Sequence, residues 1–129
     1  MEFKRAFSGA PWEAKFGYCR AVRAGAHIYV TGTAPIDDDG KVCAPGDAYA
    51  QARRCFEIVG RALEELGAGL DRVVRTRMMV TDISLWEGYG RAHREAFADN
   101  PPATTLVEVS GFIDPKMLIE VEVDAVCEE

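Results

Sequence analysis

Three acidic residues alternate with apolar residues in the segment LIEVEVDAV, residues 118–126. Successive side chains of a β-strand point to opposite faces, so the alternation predicts a strand with Glu120, Glu122 and Asp124 on one face. A carboxylate held on a strand can act as a general base towards water, and it can equally form an ion pair with an arginine. Both interpretations stay open for Glu120, because a displaced pKa accompanies catalytic and structural carboxylates alike.

Arginines are predicted to share this charged face. In the segment RVVRTRMMVTD the alternation divides the strand at 72–81 into one face formed by Val74, Thr76, Met78 and Val80 and another formed by Val73, Arg75, Arg77 and Met79. We also assign Arg20, Arg23 and Glu108 to the charged face. Such a face is either simply solvated, or it closes against other copies of the chain through charge pairs that set their register.

Two segments with helical periodicity must support the sheet. Asp47 is the predicted N-cap of the first helix, and Gly67 is the predicted residue at its C-terminal end. Ser84 and Glu87 form a capping-box pattern at the start of the second helix, which the prolines at 101–102 end. The apolar stripe of the second helix is predicted to contain Trp86, Tyr89, His93, Ala96 and Phe97.

The remaining apolar segments are typical of strands. A hairpin is predicted over 19–33, followed by strands near 72–81, 104–110 and 117–126, with a weaker strand at 3–7. The predicted order is β-β-β-α-β-α-β-β, in a single domain over residues 1–129. This order indicates an α+β fold, with a mixed sheet and two helices on one of its faces.

Composition excludes several classes of protein. The 129 residues carry a formal net charge of −6, which argues against bulk attraction to nucleic acid or to an anionic membrane. The four cysteines form no C-x-x-C pair, so no structural zinc site is predicted. The first residues contain no apolar leader segment, and we expect a cytoplasmic protein.

Four segments, taken in this order, resemble the Rid family, also called YjgF or endoribonuclease L-PSP. They are GYCRAVRAGAHIYVTGTAP, MMVTDISLW, PPATTLVEV and LIEVEVDAV, and the resemblance runs over about 16–126. It implies a fold similar to chorismate mutase of the Bacillus type. It also implies a homotrimer whose sheets face inward as a barrel, with three ligand clefts between subunits. The family's best-known activity is hydrolysis of reactive enamines and imines to a keto acid and ammonia, without a metal or organic cofactor.

The resemblance also implies which residues form the site. Glu120 would orient the attacking water, and Tyr18, Thr31 and Gly32 would line the cleft. In the deaminating branch of the family, an arginine that follows Pro-Ala in the fifth strand binds the substrate carboxylate. Here Thr104 follows the Pro-Ala pair, and a threonine hydroxyl has neither the charge nor the reach of a guanidinium. The resemblance therefore predicts weak activity towards 2-aminoacrylate.

Two further residues are candidates for ligand contact. Arg20 stands where the deaminating branch often has glutamine, and we hypothesise that it replaces the missing arginine. His93 lies on the apolar stripe, so it is interpreted either as a wall of the core or cleft, or as a proton-transfer group.

Three functions follow from this resemblance. The first is a homotrimer that binds a small carbonyl, imine or carboxylate metabolite and hydrolyses enamines or imines. The second is a non-catalytic trimer that binds a metabolite in the same clefts. An endoribonuclease is less favoured, because the chain is acidic and lacks a stripe of basic and aromatic residues. Neither a membrane nor a nucleic acid is an expected partner.

Overall fold

Six strands form one mixed sheet, and two long helices cover one of its faces. The computed structural model describes residues 1–128. The elements are β1 (Phe3–Ala6), α1 (Pro11–Phe16), β2 (Ala21–Ala24), β3 (His27–Thr33), α2 (Ala48–Glu65), β4 (Val73–Val80), α3 (Trp86–Phe97), β5 (Ala103–Glu108) and β6 (Ile119–Val126). The strand order is β1-β2-β3-β6-β4-β5, in which only β4 and β5 are parallel. The predicted α+β class and element order are confirmed, with the short α1 as an addition.

The alternation along β6 determines which face of the sheet forms the core. Ile119, Val121 and Val123 are completely buried beneath the helices, while Glu120, Glu122 and Asp124 are only partly buried. The acidic residues therefore share the face that the helices do not cover, as predicted. We call this second surface of the sheet the open face.

The first long helix begins and ends as its sequence predicts. The Asp47 side chain accepts a hydrogen bond from the backbone N–H of Ala50, which makes Asp47 the N-cap of α2. Gly67 has a φ of 85°, a left-handed conformation that favours glycine. The Gly67 N–H donates to the Glu64 carbonyl, and the Ala68 N–H donates to the Leu63 carbonyl. These two bonds form a Schellman motif, which satisfies carbonyl groups at the end of the helix.

The start of the second long helix differs from the prediction. Asp82, rather than Ser84, provides the cap, since its side chain accepts from the Ser84 N–H at the start of a 3-10 turn over Ile83–Leu85. The α-helix then begins at Trp86, whose side chain is 57% exposed and does not belong to the buried stripe. No described helix, within residues 1–128, combines the length and apolarity needed to cross a bilayer.

A β-bulge at the start of β4 reverses the predicted orientation of two valines. Val73 pairs with Ala125 and Arg75 pairs with Asp124, so Val74 is an extra residue on its strand. As a result Val73 is 5% exposed and Val74 is 48% exposed, the opposite of the predicted assignment. From Arg75 onwards the alternation continues as predicted.

Two charged residues were assigned to the wrong face. Arg23 pairs with the buried Ile28, and it donates to the Leu66 carbonyl at the end of α2. Glu108 pairs with the buried Val80, and its carboxylate accepts from the Ile83 N–H before α3. Both side chains therefore satisfy backbone groups at helix ends instead of facing the acids of β6.

Candidate functional site

Glu120 occupies a narrow space beside a glycine. The bulge of β3 lies between Val30 and Thr33, where that strand pairs with β6. A Cβ atom on Gly32, within this bulge, would lie 2.8 Å from Glu120 Oε1. That distance is shorter than a non-bonded contact allows, so the carboxylate keeps its position only because residue 32 has no side chain.

Glu120 faces a small pocket at this end of the sheet. The pocket has a volume of about 100 Å³ and also contacts Tyr18, Arg20 and Gly32. Its wall is otherwise mainly apolar and is completed by Ser8, Ala10, Trp12, Phe16, Thr33, Ala34, Ile36, Ile58, Ile113 and Met117. The carboxylate is therefore presented to a confined space with few competing polar groups.

The surroundings of Glu120 change its acidity. Burial raises the pKa of this carboxyl, the positive charge of Arg20 opposes the rise, and the negative charge of Glu122 adds to it. The net effect is a pKa above the ordinary carboxyl value. A carboxylate with a raised pKa is a better proton acceptor than an ordinary one, which is what a general base requires.

Arg20 is held in the wall of the pocket by groups of the same chain. Its side chain is buried, and its guanidinium lies 3.0 Å from a carboxylate oxygen of the equally buried Glu13. Arg20 Nη1 also donates to the Gly32 carbonyl at 2.9 Å and to Thr33 Oγ1 at 3.3 Å. Arg20 thus fixes the bulge beside Glu120, and its charge acts on the pocket from within the wall.

The sequence analysis missed Glu13 and its helix, which hold Arg20 in the wall of the pocket. Burial alone would raise the pKa of Glu13, but hydrogen bonds from Ser8 and Arg20 outweigh it and hold the pKa below its ordinary value. The segment does carry a signal: Pro11 is the first residue of α1, and Gly17, with a φ of 79°, ends it. At six residues the helix is too short for a clear periodic pattern.

The open face contains a larger depression next to the pocket. It has a volume of about 920 Å³ and is lined in part by Thr31, Tyr29, Arg5, Glu122 and Asp124. Tyr18 contacts both this depression and the Glu120 pocket. The depression is much the larger of the two, but it is a broad concavity on the uncovered sheet face and does not contact Glu120.

The remaining two candidate residues form a separate cluster. Thr104 on β5 and His93 on α3 both contact the hydroxyl of Thr76 on β4. Strand β4 lies between β5 and β6, and the Thr76 side chain points to the helix-covered face, whereas Glu120 points away from it. One chain therefore does not bring Thr104 and His93 together with Glu120.

Comparison with known proteins identifies relatives along nearly the whole chain. The family model described as endoribonuclease L-PSP matches residues 8–127. An uncharacterised protein of Streptomyces coelicolor is 41% identical over 122 residues, which cover 95% of this chain and 90% of the relative. The 3-aminoacrylate deaminase RutC of Acinetobacter baylyi is 31% identical, with 81% and 82% of the two chains covered.

A solved structure has the same architecture. A member of the YjgF/YER057c/UK114 family from Mycobacterium tuberculosis superposes with a TM-score of 0.88 at 40% sequence identity. The superposition covers 98% of this chain and all of the other. A TM-score of this size over nearly the whole chain means that the two proteins share one fold.

Proposed function

This chain belongs to the endoribonuclease L-PSP family, also called YjgF or RutC, and on that premise we propose that it is a homotrimer that hydrolyses a small imine or enamine in clefts between subunits. The proposal rests chiefly on one observation. Glu120 is a carboxylate with a raised pKa, held against Gly32 in a confined and mainly apolar pocket. That arrangement suits the activation of one water molecule.

The reaction needs only water and a proton acceptor. Glu120 removes a proton from water as the oxygen adds to the carbon of the protonated C=N bond, which gives a neutral carbinolamine. The protonated Glu120 then passes that proton to the nitrogen. As the C–N bond breaks, the Glu120 carboxylate takes the proton of the hydroxyl group, and the products are a carbonyl compound and ammonia. Tyr18 and the backbone around Thr31 and Gly32 position the ligand in this proposal.

The separation of the two polar clusters supports a shared site. Within one chain, Glu120 and Thr104 point to opposite faces of the sheet, so they cannot both contact one small ligand. The trimer that we propose would bring Glu120 of one chain to the β5 edge of the next. Strand β5 is at the edge of the sheet and is available for this contact.

A non-catalytic binding protein is the second candidate. The observation that favours it is Thr104, which stands where a deaminase of this family carries a carboxylate-binding arginine. Loss of such a charged contact weakens binding by about 2–5 kcal/mol where the partner charge stays buried. A metabolite sensor could tolerate this loss better than an enzyme for 2-aminoacrylate.

Trapping of imines separates the two candidates. An amino-acid oxidase generates imines that carry a carboxylate, and a flavin amine oxidase generates imines that do not, each in the presence of the purified protein. Ammonia release is followed together with trapping of the remaining imine by semicarbazide. We expect release above the uncatalysed rate, and we expect Glu120→Gln to lose it. Ligand binding without faster release would support the second candidate and contradict the first.

A further inference from the structure

Three side chains from three elements form a continuous hydrogen-bonded chain at the edge of the sheet. Thr104 on the edge strand β5 is exposed, Thr76 on β4 is completely buried, and His93 on α3 is half-buried. Thr76 Oγ1 lies 2.5 Å from Thr104 Oγ1 and 2.8 Å from His93 Nε2. The exposed hydroxyl is thereby connected to the helix layer through a buried one.

The buried hydroxyl of Thr76 needs both of these contacts. A hydroxyl that is removed from water without a partner destabilises the fold, whereas a valine of the same shape would not carry that cost. Thr76 is thus a polar residue in a mainly apolar layer, and both of its side-chain partners belong to this chain of hydrogen bonds. The hydrogen bond from the buried side therefore fixes the position of the Thr104 hydroxyl.

The hydrogen bonds also have a direction. A threonine hydroxyl has a single proton, and our assignment places that of Thr76 in its bond with Thr104 Oγ1. His93 Nε2 must then carry a proton and donate it to Thr76 Oγ1. Thr104 already accepts a hydrogen bond on its inner side, so its own proton is free to point outward towards a ligand.

The His93 end of this hydrogen-bonded chain lies among aromatic rings. His93 packs against Phe56 and Phe97, with ring centroids at 5.6 Å and 4.7 Å, and burial lowers the pKa of its imidazole. Burial is the cause of that change, and no neighbouring charge within residues 1–128 contributes to it. The arginines of β4, Arg75 and Arg77, alternate with Thr76 and point to the open face. A carboxylate placed against Thr104 would lose hydration without gaining a counter-charge from Thr104, Thr76 or His93, whereas an uncharged acceptor needs none.

We propose that Thr104 donates a hydrogen bond to an uncharged acceptor on the ligand, with Thr76 and His93 as positioning residues. The site would then take carbonyl or imine compounds that carry an amide, ester or ketone group in preference to those that carry a carboxylate. This assignment rests on the proposed function, because it requires Thr104 to face the shared cleft.

Binding of two matched probes tests the assignment directly. Pyruvamide and pyruvate differ only in an amide against a carboxylate, and calorimetry measures the affinity of each for the intact protein. We expect pyruvamide to bind about tenfold more tightly or better. Thr104→Val should remove the preference, Thr104→Ser should keep it, and Thr104→Arg should reverse it. Equal or tighter binding of pyruvate by the unaltered protein, or no binding of pyruvamide, would overturn the assignment.

The positioning roles have their own measurements. Thr76→Val should weaken pyruvamide binding by about fivefold to tenfold, and Thr76→Ser should restore it, since serine keeps the hydroxyl. Nuclear magnetic resonance of His93 should detect the neutral tautomer with the proton on Nε2, and the Nδ1 tautomer would contradict the proposed direction of donation. Selective binding of pyruvamide without ammonia release from imines would refute hydrolysis but support this assignment. Imine hydrolysis combined with a preference for pyruvate would support hydrolysis but refute this assignment.

Discussion

At the scale of single residues, the burial of Glu120 raises the pKa of its carboxyl group and lowers the stability of the folded chain at neutral pH. Its raised pKa means that the folded chain binds a proton more readily than the unfolded chain does. Stability therefore falls as the pH rises through the carboxyl range, since the folded state then holds a charge in a partly dry pocket. Since Glu120 lowers the stability of the folded chain at neutral pH, a role in function explains its presence better than a role in folding.

The variant Glu120→Gln separates these two contributions. We expect it to lower imine hydrolysis by about a hundredfold or more, because a general base has been removed. We also expect its melting temperature at pH 8 to exceed that of the unaltered protein, and the difference to shrink below pH 4, where carboxyls are protonated. Thermal unfolding at both pH values measures this. An unchanged hydrolysis rate, or a lower melting temperature at pH 8, would contradict it.

His93 should make the folded state sensitive to mild acid. Burial lowers the pKa of His93, so the unfolded chain takes up a proton near pH 6.5 while the folded chain resists it. Stability is then lost as the pH falls from about 7 towards 5. We expect His93→Gln to narrow the difference in melting temperature between pH 7 and pH 5. The exposed His27 provides the control, and His27→Gln should leave that difference as it is.

At this scale, the sequence predicts the orientation of side chains except where a local feature of the fold changes it. Alternation correctly predicted the orientation of every acidic residue on β6, because both faces of that strand follow one regular register. It failed for Val73 and Val74, since a bulge adds one residue to only one of two paired strands, and the choice depends on the pairing. It failed for Arg23 because a long side chain can reach the carbonyls at the end of α2, which periodicity does not encode.

At the scale of elements, the short helix α1 depends on a buried ion pair for its position. Glu13 and Arg20 are both buried, and Arg20 also bonds the β3 bulge beside Glu120. One guanidinium therefore connects a helix to the bulge that shapes the candidate site. Sequence analysis identified Arg20 as important but not its partner, because the two residues meet only after α1 has packed against the sheet.

The ion pair leads to a prediction about stability. Arg20→Met should lower the free energy of unfolding by about 3–5 kcal/mol, since it leaves the Glu13 carboxylate buried without its counter-charge. Arg61→Met is the control, because Arg61 is 60% exposed and its pair with Asp38 lies in water, where such pairs contribute little to stability. Urea unfolding measures both. The double variant Glu13→Gln with Arg20→Met should recover part of the loss, and no recovery would mean that the pair is not coupled.

At the scale of the whole molecule, the open face carries charges that contribute little to a single chain. Arg77 lies 3.4 Å from Glu122 and 3.3 Å from Asp124, but all three side chains are partly exposed, and such pairs are weak in water. Apolar residues such as Val107 and Tyr29 are exposed nearby, at 44% and 49%. A face of this kind is suited to burial against copies of itself, where charge pairs determine register.

Assembly is tested by a pair of matched substitutions. We expect the protein to sediment at about three times the 14.2 kDa of one chain, as proposed for a homotrimer. Val107→Asp on the open face should shift it towards the single chain, because a carboxylate would be buried between subunits. Trp86→Asp replaces an apolar residue on the helix side that is more exposed than Val107, and it should leave the mass unchanged. A single-chain mass for the unaltered protein would remove the proposed clefts.

Glu120 and Thr104 point to opposite faces of one sheet, so each cleft of the proposed trimer takes the two residues from different chains. When one chain carries a substitution at Glu120 and another carries a substitution at Thr104, some clefts therefore keep both residues intact. Separately purified Glu120→Gln and Thr104→Val proteins, mixed in equal amounts and allowed to exchange subunits, would form hybrid assemblies. About a quarter of the clefts would then combine an intact acid with an intact hydroxyl. Intragenic complementation of this kind would show that neither polypeptide carries a complete catalytic apparatus.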